Sequence, residues 1–418
     1  MVAIPFIYFL FLFIYVLKKK KRFEISAYLI SIYLVAAFFS ILIDIFDYRS
    51  IDTIHYQISI LPTVSYCILL TMVFYPFIKM KKINMDNYYN KEPKLFNFIS
   101  YFYILIFLLF LFFSLDIIKM IFIDGDFGAL RRMISLSEGD ELSIFSQINP
   151  AFKFIFVVFG IFGSLSFIML IFYFYSICFL KKPKWFNTLL LISSTTIVLN
   201  AIIGIDRSKV IYWLIVYGFC FILFKDYLTK KSKKNLYIVS GILITFIIFY
   251  FISVTNSRFG ESDTSTSGGM ISYAGQSFIN FCFFFDTHPY NGFTLQKIFP
   301  LFYKLFVNNG INSSVELNSL MSMQSGVGHG IFNTFIGDIS MASSNLIGII
   351  YVIFYFFIIN FTLKYNKNDF YGLLLILLII SVPMLGLFVH FYSDFSRMIV
   401  FIVFMMYAFL VPRIKFGK

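Results

Sequence analysis

Charge is what this chain has least of. Asp, Glu, Lys and Arg make up 13% of its 418 residues, where a water-soluble domain carries about a quarter. Such a supply cannot cover the surface of a soluble protein of this length, so a non-aqueous solvent is required. Cysteine is scarce too. Cys67, Cys178, Cys220 and Cys282 lie inside or beside apolar runs with no CxxC pair, a spacing that supports neither a zinc site nor a disulfide framework. They read as small apolar residues packed among helices. A basic stretch ahead of the first apolar run is also lacking: Lys18-Lys19-Lys20-Lys21-Arg22 follows residues 2–17 instead. That order argues against a cleavable signal peptide and for a first transmembrane helix with its amino terminus outside. No inverted repeat of the transporter kind is visible. The single low-complexity piece, 262–269 (SDTSTSGG), reads as an exposed hinge or loop tip.

Apolar and aromatic residues are what remains. The chain is 60% hydrophobic with 60 Phe and 28 Tyr, and its mean hydropathy is +0.85. These values indicate an all-α, polytopic integral membrane protein with lipid-facing helices and interfacial aromatic anchors. A crossing helix needs about 20 apolar residues. Eleven runs qualify: 2–17, 25–43, 57–78, 96–118, 151–180, 186–204, 210–224, 236–254, 345–363, 370–390 and 398–412. The expected organisation is one transmembrane domain over 1–418, amino terminus outside, carboxy terminus cytoplasmic, with a large outer loop before the last three helices.

Charge assigns the loops to sides. With the amino terminus outside, the inner loops hold 23 of the 34 Lys and Arg but five of the 21 acids. The inner face is then about +18 and the outer about −5, as the positive-inside rule requires. The net charge of +13 thus needs no nucleic-acid partner. Two outer segments, 119–150 and 255–344, are too long to be connectors, and long loops usually carry function. Within the second, 271–285 is apolar but broken by Gly275, Gln276, Ser277 and Asn280, which suits an interfacial or re-entrant helix.

Ionisable residues at outer helix ends are costly and hence functional candidates. Arg207 lies in the short connection Gly204-Ile205-Asp206-Arg207-Ser208-Lys209, Arg258 in Asn256-Ser257-Arg258-Phe259-Gly260, and Arg397 at the start of the last helix. Three guanidinium forks brought together would grip a phosphate or pyrophosphate. The plainer reading pairs Arg207 with Asp206 and Arg397 with Asp394. Of four histidines, His55 reads as exposed and His288 as a turn residue. His329, in Gly326-Val327-Gly328-His329-Gly330, and His390, close to Asp394 and Arg397, could each take a proton from a hydroxyl at neutral pH. A hydrogen-bonded interfacial imidazole is the plainer alternative. The histidines lack the close helical pairing of a metal site.

This arrangement resembles the Wzy-type oligosaccharide repeat-unit polymerases, the O-antigen and capsule polymerases of bacterial inner membranes. The resemblance rests on some eleven helices and the large outer loop, with Ser257-Arg258-Phe259-Gly260 just after the preceding helix. It also rests on the stretch from His329 through Asn333 to Asp338, followed by Leu346-Ile347-Gly348. The last part is similar to an "H…N…(G)LIG" region shared by O-antigen polymerases and ligases. Asn345 stands where glycine is usual, and His329 and Asn333 are separated where ligases often have them adjacent.

The resemblance implies a multi-pass protein of the bacterial inner membrane working at its periplasmic face. Its substrate would be an undecaprenyl-pyrophosphate-linked repeat unit, with a chain-length regulator and a flippase as partners. The growing glycan would pass from its lipid pyrophosphate to the non-reducing end of the next unit. On that reading Arg207, Arg258 and Arg397 bind the pyrophosphate, His329 is the base with Asp338 or His390 as substitutes, and no metal or other cofactor is required. A flippase for the same lipid-linked sugar is the rival without chemistry, and an O-antigen ligase the rival within glycosyl transfer.

Overall fold

The computed structural model describes residues 1–80, 91–122, 159–203, 207–238, 266–307, 314–329, 332–365 and 369–414, with 83, 157, 240, 241, 244 and 245 between them. Every regular element among the described residues is helical. Four stretches, Ile25–Phe46, Ile60–Lys79, Lys184–Ile202 and Asn345–Lys364, are long and apolar enough to cross a membrane by length and composition. Shorter apolar helices accompany them at Phe96–Phe112, Ser166–Leu180, Ser208–Phe224, Phe370–Leu385 and Phe395–Leu410. The expected run 236–254 falls mostly outside the described residues, as does most of 119–150.

The chain divides into two compact units. The first comprises Met1–Ile83, Ser267–Lys367 and Leu375–Met398. Helices α1 (Ala3–Lys20), α2 (Ile25–Phe46) and α3 (Ile60–Lys79) open it. Lys18, Lys19 and Lys20 occupy the last turn of α1, where cations complement the carbonyl end of the helix. Buried aromatic rings hold the three helices together: Phe9 lies 6.0 Å from Tyr66 and 6.1 Å from Phe74, and Tyr33 lies 5.2 Å from Phe74.

The next helix, α4 (Phe96–Phe122), begins the second unit, which comprises Asn84–Thr266, Asn368–Leu374 and Ile399–Lys418. It continues with α5 (Met169–Tyr175), α6 (Lys184–Ser194), α7 (Thr196–Ile203) and α8 (Ser208–Phe224). Phe96, Phe172 and Phe370 form its aromatic centre, with ring separations of 5.0, 5.6 and 4.9 Å. The expected helix 186–204 is broken at Thr195 into α6 and α7. Backbone groups freed by such a break need partners in an apolar surround. Ser166 supplies them: its Oγ accepts the Ile197 N–H at 2.9 Å and donates to the Ser194 carbonyl at 3.1 Å. Trp213 closes the cluster, donating to Ser194 Oγ at 3.0 Å.

Segment 255–344, expected as a long outer loop with a helix over 271–285, is largely helical where described, and the helix at 271–285 is present. It forms α9 (Thr266–Thr287), α10 (Pro300–Phe306), α11 (Ser314–Ser325) and α12 (Thr334–Ala342). Phe283 and Phe284 of α9, Leu317 and Met321 of α11, and Met341 and Ala342 of α12 bury one another. Helix α9 lies across the end of the first unit where α2 connects to α3. Near its start a Cβ on Gly268 would sit 2.9 Å from the Tyr48 ring. Near its end the Tyr56 hydroxyl lies 2.7 Å from the Asp286 carboxylate and 2.9 Å from the Cys282 carbonyl, with one proton to share between the two acceptors. Between them Gly275 packs directly on the α2 backbone, and Ser40 Oγ donates to its carbonyl at 2.5 Å. Gly275 is therefore the crossing point that lets two helix backbones touch.

The remaining helices are α13 (Asn345–Tyr365), α14 (Phe370–Leu385) and α15 (Phe395–Leu410). Pro383 within α14 has no N–H for the Ile379 carbonyl; the Tyr355 hydroxyl donates to that carbonyl instead. Tyr33 donates to the Pro383 carbonyl at 2.6 Å. The helix ends at Leu385, earlier than the expected 390, so His390 lies beyond it.

Candidate functional site

All nine residues of α12 are buried, so its one acid, Asp338, is carried into the interior of the first unit. The start of α12 is strapped to the chain leaving α14. Backbone N–H groups of Asn333 and Thr334 donate to the Phe388 carbonyl at 2.7 and 3.1 Å, and that of Phe335 donates to the Gly386 carbonyl at 2.7 Å. Thr334 takes a left-handed φ of 59° at this junction, and its Oγ1 accepts the Gly337 N–H at 3.2 Å. Gly348 of the LIG stretch lets α13 close on α12, since a Cβ there would lie 2.0 Å from Ser340 Oγ.

A buried carboxylate needs a cation and further donors. Lys297, itself 2% exposed, supplies the cation by donating to Asp338 Oδ1. Its ammonium also donates to Asn318 Oδ1 of α11 at 2.7 Å. The other carboxylate oxygen, Oδ2, accepts the backbone N–H of His390 at 3.1 Å. One ion pair thus ties the segment before α10 to α11, α12 and the turn after α14.

Both histidines singled out in the sequence border this pair. His390 is buried, its Nε2 is 2.9 Å from the Tyr351 hydroxyl, and the two rings are perpendicular. Burial pushes its pKa down to about 4; Asp338 and the Lys297 backbone act in the opposite direction, and the Lys297 charge adds to the lowering. His329 is 1% exposed and sits beside Phe284 and Tyr290, ring centroids 5.2 and 6.0 Å away. Burial, reinforced by Lys297, lowers its pKa to about 4 as well, while Asp338 and Asp52 pull upward. Its Nε2 is 2.6 Å from Ser325 Oγ, and its backbone N–H donates to Ser322 Oγ at 2.8 Å. Asp52 anchors the same loop by accepting the Gly328 N–H at 3.2 Å. Both imidazoles are therefore neutral at physiological pH, the form able to accept a proton.

The three arginines fare differently. Arg258 lies outside the described residues. Arg207 belongs to the second unit and is 1% exposed, at the start of α8. Near it, also buried, Lys209 donates to Asn200 Oδ1 at 3.2 Å. Arg397 belongs to the first unit, where its guanidinium lies 4.5 Å from the Phe391 ring centroid and donates to the Phe391 carbonyl at 3.3 Å. Asp394 accepts backbone N–H groups of Ser396 and Arg397 at 2.9 and 3.3 Å, so it caps α15 while the guanidinium turns to Phe391.

Asp338 and His390 are thus joined at Lys297, whose charge also acts on His329, and Lys297 is a residue sequence reasoning passed over. Its signal was present: Lys297 is a single cation within the largely apolar stretch 293–303. Asn318, Ser325 and Tyr351 were also missed, because neutral polar residues on helices give no distinguishing pattern. The chain matches no family model, no curated protein and no solved structure.

Proposed function

We propose that this chain polymerises undecaprenyl-pyrophosphate-linked oligosaccharide repeat units by glycosyl transfer, working from eleven membrane spans at the outer leaflet of a bacterial inner membrane. The observation that carries the reading is the gathering of two neutral histidines around the buried Lys297–Asp338 pair. Two of its members, His329 and Asp338, belong to the stretch that resembles the polymerases, while Lys297 and His390 come from outside it. Buried ionisable clusters in a chain of apolar helices mark functional sites by default.

In this transfer the acceptor hydroxyl oxygen bonds to the donor's anomeric carbon. The bond from that carbon to the phosphate oxygen breaks, its electron pair leaves with the lipid pyrophosphate, and the hydroxyl proton passes to a base. His329 is that base in our reading, with His390 as its substitute and Asp338 setting the local charge. Arg258 and Arg397 are assigned to the leaving pyrophosphate, where fixed cations stabilise developing negative charge.

Deleting the gene in its host and resolving surface polysaccharide on a gel tests the reading. A polymerase mutant keeps a single repeat unit and loses the long chains. Loss of every unit from the surface points to a flippase. Normal chain-length bands that stay on the lipid carrier point to a ligase.

A further inference from the structure

Ser325, the last residue of α11, touches more hydrogen-bonding groups than one hydroxyl can serve by donation. Its Oγ lies 2.8 Å from the Met321 carbonyl, 2.6 Å from His329 Nε2 and 3.3 Å from the Val327 carbonyl, and it accepts the Val327 N–H at 3.2 Å. A serine hydroxyl has one proton and two lone pairs. If that proton went to Nε2, the Met321 carbonyl would lose its side-chain donor and His329 would carry a buried Nδ1–H. Nδ1 has no hydrogen-bond partner among the described residues, so that proton would be stranded. In the other arrangement Ser325 donates to Met321 and accepts from both Val327 N–H and His329 Nε2–H. All three capacities of the hydroxyl are then filled, with one more hydrogen bond than in the first arrangement.

We infer that Ser325 is a positioning residue that holds His329 as its Nε2–H tautomer, leaving Nδ1 as the proton-accepting atom. The second anchor, the His329 backbone N–H on Ser322 Oγ, fixes the loop from which the ring hangs. Charged groups acting on the ring are Lys297, Asp338 and Asp52. The two acids favour an imidazolium formed at Nδ1, and Lys297 opposes it. A proton taken up at Nδ1 leaves Nε2–H still donating to Ser325, so the Ser325 hydrogen bond survives protonation of the ring. The tautomer stands on the hydrogen bonds alone; its catalytic meaning rests on the proposed glycosyl transfer.

Nitrogen NMR on the full chain in membranes, labelled with 15N-histidine, tests the inference. The His329 signals among those of the four histidines are assigned by their loss in His329→Gln. The wild type should show Nδ1 in the unprotonated range and Nε2 in the protonated range at neutral pH. Ser325→Ala should give a mixture of tautomers, and Ser325→Thr, which keeps the hydroxyl, should restore the single one. A protonated Nδ1 in the wild type, or an unchanged tautomer in Ser325→Ala, overturns the assignment. The spectra do not depend on turnover, so a chain with the expected tautomer whose deletion leaves polymer length unchanged would refute the polymerase reading and not this one.

Discussion

The Lys297 ammonium donates to the Asp338 carboxylate inside the first unit, and each residue is 2% exposed. Desolvating both charges costs more than an exposed pair would recover, so the pair persists through its additional bonds to Asn318 and the His390 backbone. Removing one partner strands the other. Lys297→Met or Asp338→Leu alone is expected to cost about 3–5 kcal/mol. The double variant should recover most of that loss. Unfolding in mixed detergent, read as a double-mutant cycle, measures the coupling. Additive single effects would show that the two side chains are not paired.

Helix positions were legible because apolar run length reports them directly. The run 345–363 became α13 (Asn345–Tyr365), and 210–224 became α8 (Ser208–Phe224). The break at Thr195 had no proline or glycine beside it to announce it, and its repair depends on Ser166, thirty-one positions before the amide it accepts. His329, Asp338 and His390 could be named because ionisable residues are rare in such a chain. The Lys297–Asp338 pair could not, since its two residues are 41 positions apart and meet only when α12 is buried.

Acid should weaken the fold through the two histidines. Their ordinary pKa of 6.5 is lowered to about 4 in the folded chain. Between those values the unfolded chain binds more protons, so the histidine contribution is fully present above pH 6.5 and is lost as pH falls toward 4. His390→Gln and His329→Gln should each flatten this part of the stability–pH curve, measured as unfolding midpoints across the window. A slope identical to the wild type's in both variants would locate the acid sensitivity elsewhere.

Glycine-to-alanine substitutions should separate two kinds of close contact. A Cβ on Gly275 would sit 2.3 Å from the Phe39 backbone carbon and 2.4 Å from the Ser40 nitrogen, atoms that move only with α2. Gly275→Ala is expected to cost at least the roughly 1–3 kcal/mol of overpacking. At Gly348 the nearest atom is Ser340 Oγ, the end of a side chain that can rotate away. Gly348→Ala should therefore be milder, and Gly348→Ala with Ser340→Ala milder still. Unfolding midpoints check the order, and equal losses at Gly275 and Gly348 would contradict the α2–α9 crossing.

Sidedness can be read with thiols, because the four native cysteines, Cys67, Cys178, Cys220 and Cys282, are all buried and free. An impermeant maleimide should leave the native chain unlabelled in intact cells. This gives a silent background for single new cysteines. His55 is exposed in the connection between α2 and α3, so His55→Cys should label from outside if the basic loops face the cytoplasm. Lys230, exposed in the basic segment after α8, should label as Lys230→Cys only after the cells are permeabilised. The positive-inside asymmetry predicts this pattern, and the proposed chemistry depends on it. The α2–α3 connection lies at the end of the first unit on which α9 rests, and its Asp52 holds the His329 loop. Labelling of Lys230→Cys but not of His55→Cys in intact cells would put that end, and His329 with it, on the cytoplasmic side, where a lipid-linked unit already flipped outward cannot reach it.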